Sequence, residues 1–520
     1  MIIPLMLTAI AIYFRGDFQH YFLNFDPAYA YLFNGTNLAR FTTELGHTDH
    51  PGTPLQVLIA IVVRIGYWFT GNRDLSEDFI NRSEYYLTLS SNVIVFLIVW
   101  AVYFSGKHVS KATNLWTGLF YQLTCLGSLA MMRKMPGVLT EPILGLVSIG
   151  LLAVLLIHSF KPYYFKTENK FIIYLSLLIA VGSATKITFV IMSIIPFLYL
   201  DSIAKKLKYV LYSLVFFVLF IIPLIPNFSH FYEWIIKLFT HTERYGHGDK
   251  GFVNVDTFVT NLGRTFSEDN VLNAGFWLGI IVMLTGFLGM RKIDIKSRAF
   301  RLLASIMIGC ALMILLVAKH YSFHYLLPVQ MCMVSIWMLV LVLWYNTDSE
   351  LFKKPLTIIV SGSILILLLY RTMYFYIHHP DRYAVASSSL QEASAFDPNI
   401  PRIIGAANFH NHCALPEMAL RFGLVYSGEP GLLYSEILKK KYPSTYYFNP
   451  HKGTPDHWLS FIGMEELWRM SKDYYFLSWT DDPMPLAQLR SSLASLAGGQ
   501  YEYSIQPIFE NHWTKEIFYR

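Results

Sequence analysis

Residues 171–200 read FIIYLSLLIAVGSATKITFVIMSIIPFLYL, and the architecture turns on how often this stretch crosses a bilayer. It is too long for one ordinary span of about 20 residues and short for two. Its middle, Gly182-Ser183-Ala184-Thr185-Lys186, is small and polar enough to interrupt a helix. The flanks decide the matter. Lys161, Lys166 and Lys170 precede it, and Lys205, Lys206 and Lys208 follow it. Basic loops stay on the cytoplasmic side, so both flanks belong to one side and the stretch crosses twice. Lys186 then stands at an outward-facing tip between two short helices.

Working outward, apolar runs lie near 86–104, 112–131, 138–158, 207–225, 272–290, 300–318, 325–345 and 355–375. Met1–Phe14 is an under-length first span without the basic n-region or clear cleavage site of a signal peptide. The run 53–70 is interrupted by Arg64 and is expected to lie on, or dip into, the outer leaflet. About eleven transmembrane helices follow, with the C-terminus outside. The inside loops 105–112, 159–170, 201–208, 291–301 and 346–355 then collect 15 lysines and arginines. Making 53–70 a span would put these on the wrong side.

Composition agrees. The chain has 520 residues, 54% hydrophobic and 15% charged, with a mean hydropathy of +0.40. A soluble domain carries about a quarter charged residues, so an ordinary globular or disordered chain is excluded. Four cysteines are too few for a disulfide framework. A formal charge of +6 makes no case for nucleic acid. The expected fold class is an all-α polytopic membrane protein with a small extracytoplasmic C-terminal α/β domain. The membrane domain spans 1–375 and exposes loops 15–85 and 226–271. The domain at 376–520 has strand-like runs at Arg402–Ala407, Tyr474–Trp479 and Tyr501–Ile508, and helix-like runs at Ala414–Phe422 and Pro485–Ala497.

Chemistry-bearing residues gather on the outward side. Asp26-Pro27 reads as the N-cap and first position of a helix. His47-Thr48-Asp49-His50-Pro51-Gly52-Thr53-Pro54-Leu55 reads as a rigid turn before a membrane-hugging helix, with too few ligands in range to favour a metal site. Glu141, Lys186, Lys319, His320 and His324 lie in or at the edge of apolar spans, where ionisable groups are costly and therefore functional candidates. Arg82 maps to the same side. Each also has a plain structural reading: Asp26 and Glu141 as helix caps, Arg82 and Lys319 as interface anchors, Lys186 as a snorkelling side chain. His241–Gly248 suits a mobile cover or an exposed loop. His410-Asn411-His412-Cys413 reads as a surface cluster before a metal site. The triplets beginning at Asn34, Asn81 and Asn227 are N-glycosylation sequons.

Taken in order, these elements resemble the GT-C superfamily of polyprenyl-phosphate-sugar-dependent glycosyltransferases, in its protein O-mannosyltransferase and aminoarabinose-transferase branch (glycosyltransferase family 39-like). Asp26 matches the acidic motif of the first outward loop, with Tyr29 or Tyr31 in the tyrosine position and Pro27 in place of a second acid. His50-Pro51-Gly52-Thr53-Pro54-Leu55 resembles the His-Pro-Pro-Leu-like element. Thr140-Glu141-Pro142 resembles Thr-Asp-x-Pro, and Thr185-Lys186 resembles Leu-Thr-Lys-Gly. His324-Tyr325-Leu326-Leu327-Pro328 resembles Arg-Tyr-x-Leu-Pro, with His324 where arginine is common. The resemblance covers about residues 1–345.

It implies an integral membrane glycosyltransferase, hexosyl- or pentosyl-, that moves a sugar from a polyprenyl-phosphate donor to an extracytoplasmic acceptor: protein, lipid or polysaccharide. Asp26 is expected as the catalytic carboxylate. Tyr29, His50, Arg82, Glu141, Lys186, Lys319 and His324 are expected around the substrates, and inversion at the anomeric carbon follows from a single displacement. No cofactor is assigned, a divalent cation being left open with a leaning towards none. The partners expected are the lipid-linked donor, the acceptor and the bilayer. A bacterial inner membrane is expected, with the active site facing the periplasm. The competing classes are a transporter or flippase for a lipid-linked saccharide and a membrane-anchored binding protein. The first is weakened by the lack of an internal repeat. The second leaves the first-loop motifs unexplained.

Overall fold

The computed structural model describes residues 2–16, 19–242, 248–289, 293–345, 355–377, 396–397, 400–405, 415–449, 453–471, 473–479, 484–497, 502–508 and 513–519. Inside some helices and strands, residues 23–27 among them, only the backbone is described. Six described helices are long and apolar enough to cross a membrane: Thr53–Thr70, Ser83–Ala112, Thr140–Phe160, Asn270–Phe287, Arg298–Lys319 and the run Phe323–Trp344. Ile203–Phe220 and Ile222–Thr240 together pass the same test but bend by 71° at their junction. Ile2–Tyr13, Ile187–Tyr199 and Gly362–Arg371 are shorter apolar helices. The chain is a polytopic, mainly helical protein, as the sequence reading expects.

Two stretches are built differently from the sequence reading. The run 112–131 is not one span but three short helices, Leu115–Tyr121, Thr124–Gly127 and Leu129–Lys134. Asn114 caps the first by accepting from the Thr117 amide, and Ser128 caps the third by accepting from the Met131 amide. The Ser128 hydroxyl also donates to Gln330 Oε1 at 2.8 Å, and the Ala130 amide donates to the same atom at 3.1 Å. A hydropathy count does not see such caps. The run 53–70 is an 18-residue helix that qualifies as a span by length and composition. Arg64, which seemed to forbid this, donates from Nε to the Ala39 carbonyl and lies 4.5 Å over the Phe41 ring.

The deciding stretch is broken at Lys186. Helix Glu168–Thr185 ends there, Lys186 is extended (φ −152°, ψ 117°), and a 3-10 segment Ile187–Ser193 runs into helix Ile194–Tyr199. Gly182 is required at this turn. A Cβ there would stand 2.3 Å from Phe189 Cδ1, so the returning Phe189 ring occupies the space a side chain would need.

Two compact units result. One comprises Met1–Gly16, Thr48–Val57 and Ser91–Phe375; the other comprises Asp17–His47, Leu58–Ser90 and Tyr376–Arg520. In the first, Glu168–Thr185 packs on Thr140–Phe160 and Ile203–Phe220, and Leu327–Tyr345 packs on Asn270–Phe287, Arg298–Lys319 and Thr140–Phe160.

The second unit is built on a sheet of seven strands: β1 Arg402–Gly405, β2 Thr445–Asn449, β3 Thr454–His457, β4 Ser460–Phe461, β5 Asp473–Trp479, β6 Glu502–Ile508 and β7 Trp513–Tyr519. Their order is β4-β3-β2-β1-β5-β7-β6. β1 pairs in parallel with β2 and β5, and the other pairs are antiparallel. Ile403, Phe448, Phe476, Leu467 and Leu489 form its buried core with Trp468. The expected α/β domain is therefore present. The expected strands and helices near 402, 474, 501, 414 and 485 fall on β1, β5, β6, Pro416–Val425 and Met484–Ala497. Strands β2, β3, β4 and β7 escaped the sequence reading.

The same unit includes helix His20–Ala39 from the first loop, packed on Pro416–Val425. Asn34 Nδ2 donates to the Tyr426 carbonyl at 2.8 Å and to the Ala30 carbonyl at 2.7 Å. Its Oδ1 accepts from the Gly46 and His47 amides at 2.9 and 3.2 Å. Asn37 Nδ2 donates to the carbonyls of Glu44 and Ser427, both at 2.8 Å, and its Oδ1 accepts from the Tyr434 hydroxyl at 2.6 Å. Burial pushes the Tyr434 phenol up to about 12, which keeps it a donor. Phe33, Phe79 and Tyr434 meet edge to face, with centroids 5.0–5.4 Å apart. Gly46 is fixed by a backbone approach, since a Cβ there would lie 2.3 Å from the Gly428 amide nitrogen. The sequon at Asn34 is closed in the folded chain because its amide is buried and fully used.

Candidate functional site

Glu141, Lys186 and His324, far apart in sequence, converge in the first unit. Glu141 occupies the first turn of Thr140–Phe160, where a negative charge suits the helix dipole. Lys186 comes from the broken stretch. His324 lies in the 3-10 turn Phe323–Leu326 that opens the helix Leu327–Tyr345. Lys186 Nζ donates to Glu141 Oε1 at 2.8 Å, and the two side chains are only 5% and 6% exposed. His324 Nε2 is 3.7 Å from the same oxygen, and its Nδ1 is 2.9 Å from the Ser322 hydroxyl, which orients the ring. The Thr140 hydroxyl donates to Glu141 Oε2 at 3.3 Å. Lys186 Nζ also lies 4.1 Å from the centroid of Tyr325.

This is a buried ion pair with an imidazole beside it and an aromatic face across its cation. Taking two charges out of water costs several kcal/mol each, and a single partner offsets this only when the geometry is good. Lys134 adds a further nearby positive charge. Neither Tyr325 nor Lys134 stood out in the sequence reading. The available signals were an aromatic directly after His324 and a basic pair, Arg133-Lys134, closing the short helix before Thr140.

The other expected residues of this unit have different partners. Lys319 Nζ donates to the carbonyls of Leu238 and Phe239 at 2.9 and 2.6 Å, near the end of helix Phe228–Thr240. That is the anchoring geometry, and a cation suits a helix C-terminus. His320 Nε2 lies 3.4 Å from the Leu238 carbonyl, and burial lowers its pKa below the ordinary histidine value. His50 meets Trp234 edge to face at 5.2 Å.

In the second unit, Asp26 is not at an N-cap. The helix begins at His20 with Gln19 as its cap, so Asp26 and Pro27 lie inside it. The reading failed because Asp26-Pro27 looked like a helix start, whereas the helix runs through both and packs on Pro416–Val425. The Asp26 side chain lies outside the described residues. Tyr29 is fully buried, and its hydroxyl donates to Glu84 Oε1, while Glu84 Oε2 accepts from the His20 amide at 2.5 Å. Arg82 donates to the carbonyl and hydroxyl of Thr70, both at 3.0 Å, is 3.5 Å from Asp78, and stacks over Tyr85 at 4.3 Å. His47 packs edge to face on Tyr31 and Tyr426. Residues 243–247 and 406–414, which hold most of the proposed cover and the His410–Cys413 cluster, lie outside the described residues. Among the described residues no group of three His, Cys, Asp or Glu side chains is placed to hold a metal ion.

No family model matches the sequence, and no curated protein does. Among solved structures, ArnT from Cupriavidus metallidurans matches in two forms, one bound to undecaprenyl phosphate and one in the apo state. Each match has a TM-score of 0.52 at 12% identity and covers 99% of this chain and 97% of the other. Similarity at this identity concerns the fold, and over nearly its whole length the chain has a fold like that of ArnT.

Proposed function

We propose that this integral membrane protein is a glycosyltransferase that moves a sugar from a polyprenyl-phosphate donor to an acceptor outside the cytoplasm. The observation that carries the reading is the buried Glu141–Lys186 pair, with His324 beside it, at a break in the helices of a chain with a fold like that of ArnT. Ionisable groups kept inside an apolar bundle are costly, and a phosphate leaving group is a chemical reason to keep them. Undecaprenyl phosphate bound to ArnT supports the donor class.

In this mechanism Asp26 takes the proton of the acceptor hydroxyl. The acceptor oxygen attacks the anomeric carbon from the face opposite the phosphate. The bond to the phosphate oxygen breaks, and polyprenyl phosphate leaves with the electron pair. Lys186, oriented by Glu141 and Tyr325, stabilises the phosphate charge with His324 and Lys134. One displacement inverts the anomeric configuration. The active site faces the periplasm of a bacterial inner membrane, because that places the lysine-rich loops inside.

The decisive test replaces Asp26 with Asn in the native host, verifies protein abundance, and compares cell-surface glycolipids, polymers and glycoproteins by mass spectrometry. Loss of one sugar mass from one class is expected, and it identifies both sugar and acceptor. An unchanged profile, with deletion of the whole gene altering the surface, overturns the assignment of Asp26. A product with retained anomeric configuration overturns the single displacement.

A further inference from the structure

Lys134 serves the proposed chemistry from a helix of only six residues, Leu129–Lys134, which is too short to hold itself in place. Segment 128–139 is largely buried, and its least buried side chains are the two cations: Arg133 is exposed and Lys134 half-buried. The short helix packs on helix Thr140–Phe160, which carries Glu141, and on the turn Phe323–Leu326, which carries His324. It also packs on helix Leu327–Tyr345. Its register on the first of these is set by a close approach: a Cβ at Gly145 would stand 2.3 Å from Met131 Sδ. Gly145 is one turn beyond Glu141, and Lys134 is one turn beyond Met131 in a chain segment running the other way. Lys134 therefore comes level with Glu141 and adds its charge there. Arg133 lies 5.5 Å over the ring of Phe323, directly before His324.

Two buried side chains from neighbouring helices hold the segment. At its start, Gln330 Oε1 accepts from the Ser128 hydroxyl at 2.8 Å and from the Ala130 amide at 3.1 Å. Ser128 Oγ in turn accepts from the Met131 amide at 3.0 Å, so Gln330 grips the cap of the helix and not only its backbone. Beyond its end, the Ser91 hydroxyl donates to the Pro136 carbonyl at 2.6 Å, and the Gly137 amide donates to the Lys134 carbonyl at 2.9 Å. Gln330 is fully buried, and its Nε2 has no hydrogen-bond partner among the described residues. Half an amide left unused inside an apolar bundle is costly, and an apolar side chain would avoid that cost. What the amide does with its other half is fix this helix.

We infer that Gln330 is a positioning residue for the phosphate of the lipid-linked donor, acting through the short helix that carries Arg133 and Lys134. Gln330 stands on the helix that follows the His324 turn, so one element places the imidazole directly and the two cations through Ser128 and Ala130. Charge stabilisation of a leaving phosphate depends on donors fixed before the reaction, and a six-residue helix supplies fixed donors only when it is pinned. The inference deepens the transferase reading and rests on it.

The test measures binding of two probes, undecaprenyl phosphate and undecaprenol, to the full chain in detergent. Wild type is expected to prefer the phosphate. Gln330→Met keeps the volume and removes the acceptor, and is expected to lose about fivefold in affinity for undecaprenyl phosphate with undecaprenol binding unchanged. A loss for both lipids shows a damaged groove and overturns the positioning role. The second arm repeats Gln330→Met in the Arg133→Gln/Lys134→Gln background. No further loss is expected there, because the clamp then has no charge to place; a loss that multiplies shows that Gln330 acts independently of the two cations and overturns the inference. Far-UV circular dichroism verifies folding. If Gln330→Met does not fold, Ser128→Ala breaks the clamp from the other side and is expected to give the same pattern. Hydrogen exchange without lipid separates this inference from the transferase reading. Faster exchange over residues 129–135 in Gln330→Met, with a wild type indifferent to the phosphate, supports the clamp and overturns the donor. A wild-type preference that Gln330→Met fully keeps overturns the inference and leaves the donor standing.

Discussion

The two ends of helix Thr140–Phe160 treat a lysine and its carboxylates in opposite ways. At one end Lys186 and Glu141 are about 5% exposed and have one another, an imidazole and a tyrosine face. At the other, Lys205 is 27% exposed and its partners Glu168 and Asp201 are about half exposed. Solvent screens the second set, so its pairs contribute little to stability. The first set has no water to fall back on, and its partners depend on each other. Similar residue types thus make a site at one end and an adjustable surface at the other.

Breaking the buried pair has the largest expected effect. Lys186→Met leaves Glu141 uncompensated and is expected to cost about 3–5 kcal/mol, read as a lowered Tm of the detergent-solubilised protein. The double variant Glu141→Gln/Lys186→Met is expected to recover most of that stability without recovering sugar transfer. Recovery of both would mean the pair is only structural. The hydrogen-bonded clamp of the second unit comes next. Asn37→Ala removes bonds to the Glu44 and Ser427 carbonyls and from the Tyr434 hydroxyl, and is expected to cost about 2 kcal/mol. Hydrogen exchange is expected to rise in the helix His20–Ala39; unchanged protection there would show that packing on Pro416–Val425 holds it alone. Lys205→Gln is the mildest, at less than about 1 kcal/mol. A Tm loss as large as that of Lys186→Met would erase the contrast between the two ends.

How far the sequence could be read varies with the kind of information each feature needs. The break at Lys186 was legible because small residues within an apolar run, between lysine-rich flanks, are visible locally. So was the list of ionisable residues at span edges, which contained all three members of the buried cluster. The start of the helix at His20 was not legible, since Asp26-Pro27 mimics a cap and first position, and the contact with residues 416–425 lies far away in sequence. Nor was the fate of 112–131, where Gln330, some two hundred residues away, accepts from Ser128 and Ala130 at the break.

By itself the sequence determined that this chain is a polytopic membrane protein with a separate α/β region, because hydropathy and loop charge add up residue by residue and need no partner. It also narrowed the chemistry to a short set of charged residues. Only the tertiary structure decided which of them meet. Lys186 joins Glu141 and His324, whereas Lys319 turns to the end of a neighbouring helix and Arg82 to Thr70. The physical reason is that a buried charge must find its counterpart within about 4 Å, and which groups come that close is set by packing between distant segments.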